Sequence, residues 1–121
     1  MRVLIVDDSR AMRMILRNTL MELGCEVVEA ADGRIGLELL ATAGPVALAM
    51  VDWNMPVLNG YDFVREVRAN PAYKAMKIVM VTTEVETAQV VKALTAGADE
   101  YVMKPFTREI LREKIGMLAA I

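Results

Sequence analysis

The stretch Val46-Ala47-Leu48-Ala49-Met50-Val51-Asp52-Trp53-Asn54-Met55-Pro56 decides the fold. Six apolar residues run unbroken and stop at a carboxylate, Asp52. An apolar run this short, bounded by Gly44-Pro45 before and Asn54-Met55-Pro56 after, reads as a strand buried on both faces. An aspartate ending such a strand sits at the rim of the sheet, where it can ionise and still reach a ligand. Asp52 is therefore the first candidate reactive group.

Working outward, the same alternation recurs. Arg2 to Val6 is an apolar run ending at Asp7-Asp8. Ser9 or Asp8 can cap a helix to Leu23 that sets Met12, Ile15, Leu16, Thr19, Leu20 and Leu23 on one face, and Gly24 ends it. Glu26 to Ala30 reads as a strand, Asp32-Gly33 as a turn, and Ile35, Leu37, Leu39 and Leu40 as a helix broken at Gly44-Pro45. Beyond the opening stretch, Asn59-Gly60 reads as a turn. Tyr61 to Ala69 reads as a helix carrying Phe63, Val64 and Val67, stopped by Asn70-Pro71. Lys77 to Val81 is a strand ending in Thr82-Thr83, and Glu86 to Ala96 a helix with Val90, Val91 and Leu94. Glu100 to Met103 is the last strand, ending in Lys104-Pro105-Phe106. Thr107 then caps a helix with Ile110, Leu111, Ile115 and Leu118. Strands joined through helices run parallel with right-handed crossovers and helices on both faces. The expectation is one α/β domain over 1–121.

Composition narrows the chemistry. The chain has 121 residues, with Lys+Arg 14 against Asp+Glu 16 and a net charge of -2. No basic tract suggests a nucleic-acid partner, and no apolar run approaches the ~20 residues that span a membrane. The N-terminus lacks the layout of a signal peptide. One cysteine, Cys25 at a helix end, makes no internal disulfide, which fits a reducing cytoplasm. The ten methionines are expected mostly as core filler, as at Met50, Met80 and Met103. There is no histidine, which removes Ser-His-Asp and Cys-His catalysis and imidazole-built zinc sites.

Parallel strands bring their carboxyl ends to one edge, where open α/β sheets bind ligands. Here those ends carry Asp7 and Asp8, Asp52, Thr82 and Lys104. Each has an ordinary reading alone: Asp7 or Asp8 as a helix cap, Thr82 as a strand residue, Lys104 as a surface charge. Together they point to a site. Three carboxylates in one crevice repel each other, and a divalent cation resolves the repulsion. All-oxygen ligation points to Mg²⁺, with Mn²⁺ or Ca²⁺ as alternatives. A carboxylate nucleophile beside Mg²⁺ and a lysine suits formation of an aspartyl phosphate. No G-x-x-x-x-G-K-[ST] loop provides for a nucleotide. Asp52 is followed by Trp53 and Asn54, not by a second carboxylate, so slow hydrolysis of the phosphoryl-aspartate is expected.

These residues resemble the receiver domains of two-component response regulators. The matching pieces are Asp7-Asp8, Asp52-Trp53-Asn54-Met55-Pro56, Asn59-Gly60, Thr82-Thr83-Glu84 and Tyr101 through Lys104-Pro105-Phe106. The resemblance implies a flavodoxin-like (βα)5 three-layer sandwich with strand order 2-1-3-4-5; that order comes with the family, and the residue pattern alone does not supply it. It implies that Asp52 accepts a phosphoryl group from a phosphohistidine on a sensor histidine kinase or from acetyl phosphate. Asp8, Asp52 and the carbonyl of Asn54 would ligate Mg²⁺, with Asp7 acting mostly through water. Lys104 would pair with the phosphoryl oxygens, and Lys104-Pro105 would be cis. Thr82 would bind the phosphoryl group and Tyr101 would swing inward. The readout face, made by the fourth helix, fifth strand and fifth helix, would include Val85, Val90, Tyr101 and Lys114. A monomeric cytoplasmic switch acting on a protein target such as the flagellar motor switch is expected, with a phosphatase as a third partner. The alternatives are a receiver cut from a longer transcriptional regulator and a Mg²⁺-dependent phosphatase.

Overall fold

The computed structural model describes residues 1–83 and 89–119. Strands β1 (Arg2–Val6), β2 (Glu26–Ala30), β3 (Leu48–Asp52), β4 (Lys77–Thr83) and β5 (Glu100–Lys104) alternate with helices α1 (Arg10–Glu22), α2 (Gly33–Thr42), α3 (Gly60–Ala69), α4 (Val90–Ala96) and α5 (Arg108–Ala119). All pairings are parallel and the order is β2-β1-β3-β4-β5. This is the order the resemblance implied. β3 lies at the centre, bonded to β1 on one side and β4 on the other, and all of its residues are buried. It begins at Leu48, two residues into the apolar run; Ala47 before it is exposed.

The alternation of side chains along β3 divides the core in two. Ala49 and Val51 pack with Leu4, Val6, Phe63, Val64 and Met80 on one face of the sheet. Leu48 and Met50 pack with Ile5, Leu16, Leu20, Leu111 and Ile115 on the other. Two apolar layers, each closed by helices, explain why β3 reads as continuously hydrophobic. The result is an α/β three-layer sandwich.

Helix starts are set by side-chain caps. Ser9 Oγ accepts from the Met12 N–H at 3.2 Å and Thr107 Oγ1 from the Ile110 N–H at 3.1 Å. Asp32 and Asn59, expected in turns, are caps as well, accepting at 2.9 Å from the N–H groups of Ile35 and Asp62. Gly33 and Gly60 are therefore the first residues of α2 and α3. Gly97 closes α4 with φ at 126°, a conformation that a residue with a Cβ resists. At the amino edge of the sheet Arg68 bonds the carbonyls of Gly97 and Tyr73 and pairs with Asp99 at 2.9 Å; Asp99 also accepts from the Ile78 N–H.

Several burial expectations need correction. Ile15, Val91, Leu94 and Ile110 are exposed. The inward stripes run instead through Leu16, Thr19 and Leu20 on α1, through Val90 and Ala93 on α4, and through Leu111 and Ile115 on α5. One residue of helical rotation separates Leu16 from Ile15 and Val90 from Val91, enough to turn a side chain from core to solvent. The methionines are not mostly filler: Met50, Met76 and Met80 are buried, but Met1, Met14, Met21 and Met117 are exposed. Cys25 lies at the end of α1, where its N–H donates to the Leu20 carbonyl at 3.1 Å, directly before β2, and is buried. The expected start of the fourth helix at Glu86 falls outside the described residues.

Candidate functional site

The ends of β1, β3, β4 and β5 meet at the carboxyl edge, and the side chains expected there converge. The Asp7 N–H donates to the Ala30 carbonyl at 3.0 Å, carrying the β1–β2 ladder one residue further and turning the Asp7 carboxylate into the crevice. Asp7 is buried, whereas its neighbour Asp8 is exposed. Asp7 Oδ1 accepts from the Ser9 N–H at 2.8 Å. Asp52 ends β3 and is also buried. Carboxylate oxygens of Asp7, Asp8 and Asp52 lie within 4.8 Å of one another.

Lys104, from the far side of β4, reaches this cluster. Its Nζ lies 3.2 Å from Asp52 Oδ1 and 3.8 Å from Asp7 Oδ2. The peptide bond that follows, Lys104-Pro105, is cis, as the resemblance implied. Thr82 sits on β4 one residue beyond Val81, the register partner of Asp52, and is buried. Its Oγ1 donates to the Thr83 carbonyl at 3.3 Å.

One lysine does not neutralise this much negative charge out of water. Burial pushes the Asp52 carboxyl up to about 6, the Asp7 charge adds to the rise, and Lys104 opposes it. Burial also raises Asp7, against the Ser9 N–H and Lys104, which lower it. Asp7 Oδ2 is buried without a hydrogen-bond partner. A buried carboxylate oxygen lacking a donor and facing two more carboxylates is what a bound hard cation would satisfy. The acidic cluster therefore fits a metal ion.

The β3–α3 loop is held close to the site. The Trp53 N–H donates to the Val81 carbonyl at 3.2 Å, and the Trp53 carbonyl accepts from the Gly60 N–H at 3.0 Å. A Cβ at Gly60 would collide with the Asp52 carbonyl oxygen, so only glycine lets α3 begin there. Val57 at the loop tip has φ at 69° and is 78% exposed. A β-branched residue is strained in that region. Asn54 is exposed two residues after Asp52.

Of the expected readout residues, Tyr101 is half-buried on β5, with Lys114 Nζ 5.4 Å from its ring centroid. Lys114 also pairs with Glu100 at 3.4 Å. Val90 is buried, only 7% exposed, and Val85 lies outside the described residues. Sequence reasoning missed Arg13, whose guanidinium donates to the Asp7 carbonyl at 2.6 Å and pairs with Glu29 on β2 at 3.2 Å. No local pattern announces it, because the contact depends on how α1 lies over β1 and β2.

A parallel sheet with acidic side chains and a lysine at its carboxyl edge defines a receiver-type α/β domain. Residues 3–116 match the response regulator receiver domain, and the chain belongs to that family. It is 47% identical over 116 residues to a chemotaxis protein CheY homolog of Campylobacter jejuni, covering 95% of this chain and 89% of that protein. It is 46% identical to chemotaxis protein CheY1 of Helicobacter pylori, covering 95% and 94%. Among solved structures, chemotaxis protein CheY4 of Vibrio cholerae superposes with a TM-score of 0.89 at 36% identity over 97% of each chain. The receiver domain of the sensor histidine kinase PA1611 of Pseudomonas aeruginosa, with a magnesium ion coordinated in its active-site cleft, superposes at 0.88 with 26% identity over 99% and 98%.

Proposed function

We propose that this chain is a phosphorylation-activated chemotaxis regulator of the CheY kind, with Asp52 as phosphoacceptor. The observation that carries the reading is the meeting of Asp7, Asp8, Asp52 and Lys104 at the carboxyl edge, with the Lys104 ammonium 3.2 Å from the Asp52 carboxylate. The donor is a phosphohistidine on a sensor histidine kinase, which this histidine-free chain cannot supply itself. An Asp52 oxygen attacks phosphorus, the P–N bond breaks, and its electron pair returns to the imidazole nitrogen. With its pKa near 6, Asp52 is mostly ionised at neutral pH and able to attack.

Asp7, Asp8, Asp52 and the Asn54 carbonyl would hold Mg²⁺, a choice supported by the orphaned Asp7 oxygen and by the magnesium in the related PA1611 cleft. Mg²⁺ bound there supplies charge neutralisation between the carboxylates and the incoming phosphoryl oxygens. Lys104 leaves its pairing with the free carboxylate to pair with the phosphoryl oxygens. The buried hydroxyl of Thr82 turns from the Thr83 carbonyl toward them. Tyr101 moves into the space released, shifting the face formed by α4, β5 and α5. A tenfold shift in such a balance needs about 1.4 kcal/mol, within reach of a few charge-assisted hydrogen bonds.

The chain then acts as a switch and not as a turnover enzyme, since Asn54 offers no carboxylate to activate water against the acyl phosphate. Its targets are a downstream protein such as the flagellar motor switch, and a phosphatase that ends the signal. No helix among the described residues is long and apolar enough to cross a membrane. A cytoplasmic monomer is the form that suits a regulator like the chemotaxis CheY proteins it resembles. The test is incubation with acetyl phosphate and Mg²⁺ followed by intact-mass analysis. One phosphoryl adduct, sensitive to hydroxylamine and absent from Asp52→Asn, is expected. An adduct persisting in that variant refutes the assignment.

A further inference from the structure

The surface between α3 and α4 carries a feature that phosphotransfer leaves unused. Two cations converge on Tyr61 of α3: the Arg65 guanidinium carbon lies 5.6 Å from the ring centroid, and Lys92 Nζ, from α4, lies 4.5 Å from it. Both are exposed, and neither meets a carboxylate within ion-pairing distance among the described residues. Asp62 and Glu66 share α3 with Arg65 but do not pair with it. Arg68, further along the groove, is already neutralised by Asp99. The groove encloses about 520 Å³, and Ala69, Thr95 and Ala96 line it with small side chains that leave room for a polypeptide backbone. In a chain of net charge -2 this is a local excess of positive charge beside an aromatic ring.

We infer that the α3–α4 groove docks an acidic segment of a partner protein. Carboxylates of that segment pair with Arg65 and Lys92, and its apolar side chains lie against Tyr61 and the small-residue floor. Two cations from different helices match carboxylates spaced along a chain. The groove shares α4 with the α4–β5–α5 readout face but is walled on its other side by α3, which that face does not include. It is nevertheless in touch with the site: the Tyr61 ring centroid is 5.9 Å from that of Trp53, which follows Asp52 in the chain. Docking is therefore read in the emission of Trp53, the only tryptophan.

The test uses the full chain labelled with ¹⁵N and three probes: a peptide alternating Glu and Leu, its Gln-for-Glu counterpart, and inorganic phosphate. The acidic peptide is expected to shift Trp53 emission and the amides of Tyr61, Arg65, Lys92 and Thr95, while the Gln peptide does neither. Arg65→Glu combined with Lys92→Glu is expected to weaken binding at least ~10-fold. Arg34→Glu with Arg112→Glu, an equal charge change on other helices, is expected to leave it within about twofold. No response to the acidic peptide, or equal weakening by both double variants, overturns the inference. Equal shifts with phosphate would make this a small-anion site, and concentration-dependent broadening without peptide would make it a self-association surface; either also overturns it.

Discussion

Replacing Asp52 with asparagine should stabilise the metal-free protein. The folded-state pKa of Asp52 is raised from 3.8 to about 6, so the native state holds this proton more tightly than the unfolded chain. Stability from that proton is complete below about 3.8 and is lost as pH rises through 6. By pH 7.5 the native state carries an ionised buried carboxylate at a cost of about 3 kcal/mol relative to the unfolded chain, at ~1.4 kcal/mol per pKa unit. That cost is already net of the Lys104 contact at 3.2 Å, so what opposes the gain is the buried asparagine amide that must find partners, which offsets ~1–2 kcal/mol. The net gain is ~1–2 kcal/mol, or roughly 3–8 °C in Tm for a domain of this size. Thermal unfolding followed by circular dichroism, in EDTA at pH 7.5 and again near pH 4, reads it directly. The gain should be present at the higher pH and reverse at the lower, where Asp52 is already protonated in the native state and the cost of the buried amide remains. Saturating Mg²⁺ should then raise the wild type more than the variant, since a ligand stabilises the state that binds it. An Asp52→Asn protein no more stable than wild type in EDTA at pH 7.5 would refute the account of carboxylate crowding.

Other expectations follow from the same geometry. Mg²⁺ should change Trp53 emission, with an affinity lowered at least ~10-fold in Asp8→Ala; an equal response in both proteins would remove Asp8 from the metal site. Thr82→Ala should take up phosphate from acetyl phosphate yet couple poorly to a target, scored by beryllofluoride-dependent chemical shifts at Tyr101, and wild-type shifts there would break the proposed link. Val57→Asn should raise stability by ~0.5–1 kcal/mol in denaturant unfolding, because asparagine tolerates the left-handed backbone that valine resists. An unchanged midpoint would mean that the strain is relieved elsewhere.

β1, β3, β4 and β5 were legible because each is a short, largely apolar run ended by a charged or hydroxyl residue at the carboxyl edge, whereas β2 carries two glutamates and ends at Ala30. Their parallel pairing follows from the helices between them, and with it the meeting of Asp7, Asp52 and Lys104. The order of the strands rested on family resemblance, since nothing local says that β1 inserts between β2 and β3. Burial at single-residue resolution was less accessible. Asp7 and Asp8 are equivalent as letters, and only the continuation of β1 past Val6 turns one inward and leaves the other in solvent. Val90 and Val91 pose the same problem on a helix, where the stripe facing the core depends on the helix's rotation about its axis. Asp32 and Asn59 were read as turn residues because the same side-chain oxygens serve turns and helix caps alike.

Lys104 belongs to β5 and Asp52 to β3, with β4 between them. Neighbouring strands stand about 4.8 Å apart, so the ammonium must cross two such intervals to reach the carboxylate. Sheet spacing thus acts as a ruler on side-chain length at this position. A cation carried on a stem shorter by one or two methylenes would stop above Thr82, still at the edge of the sheet and still charged, but short of the oxygen it has to meet.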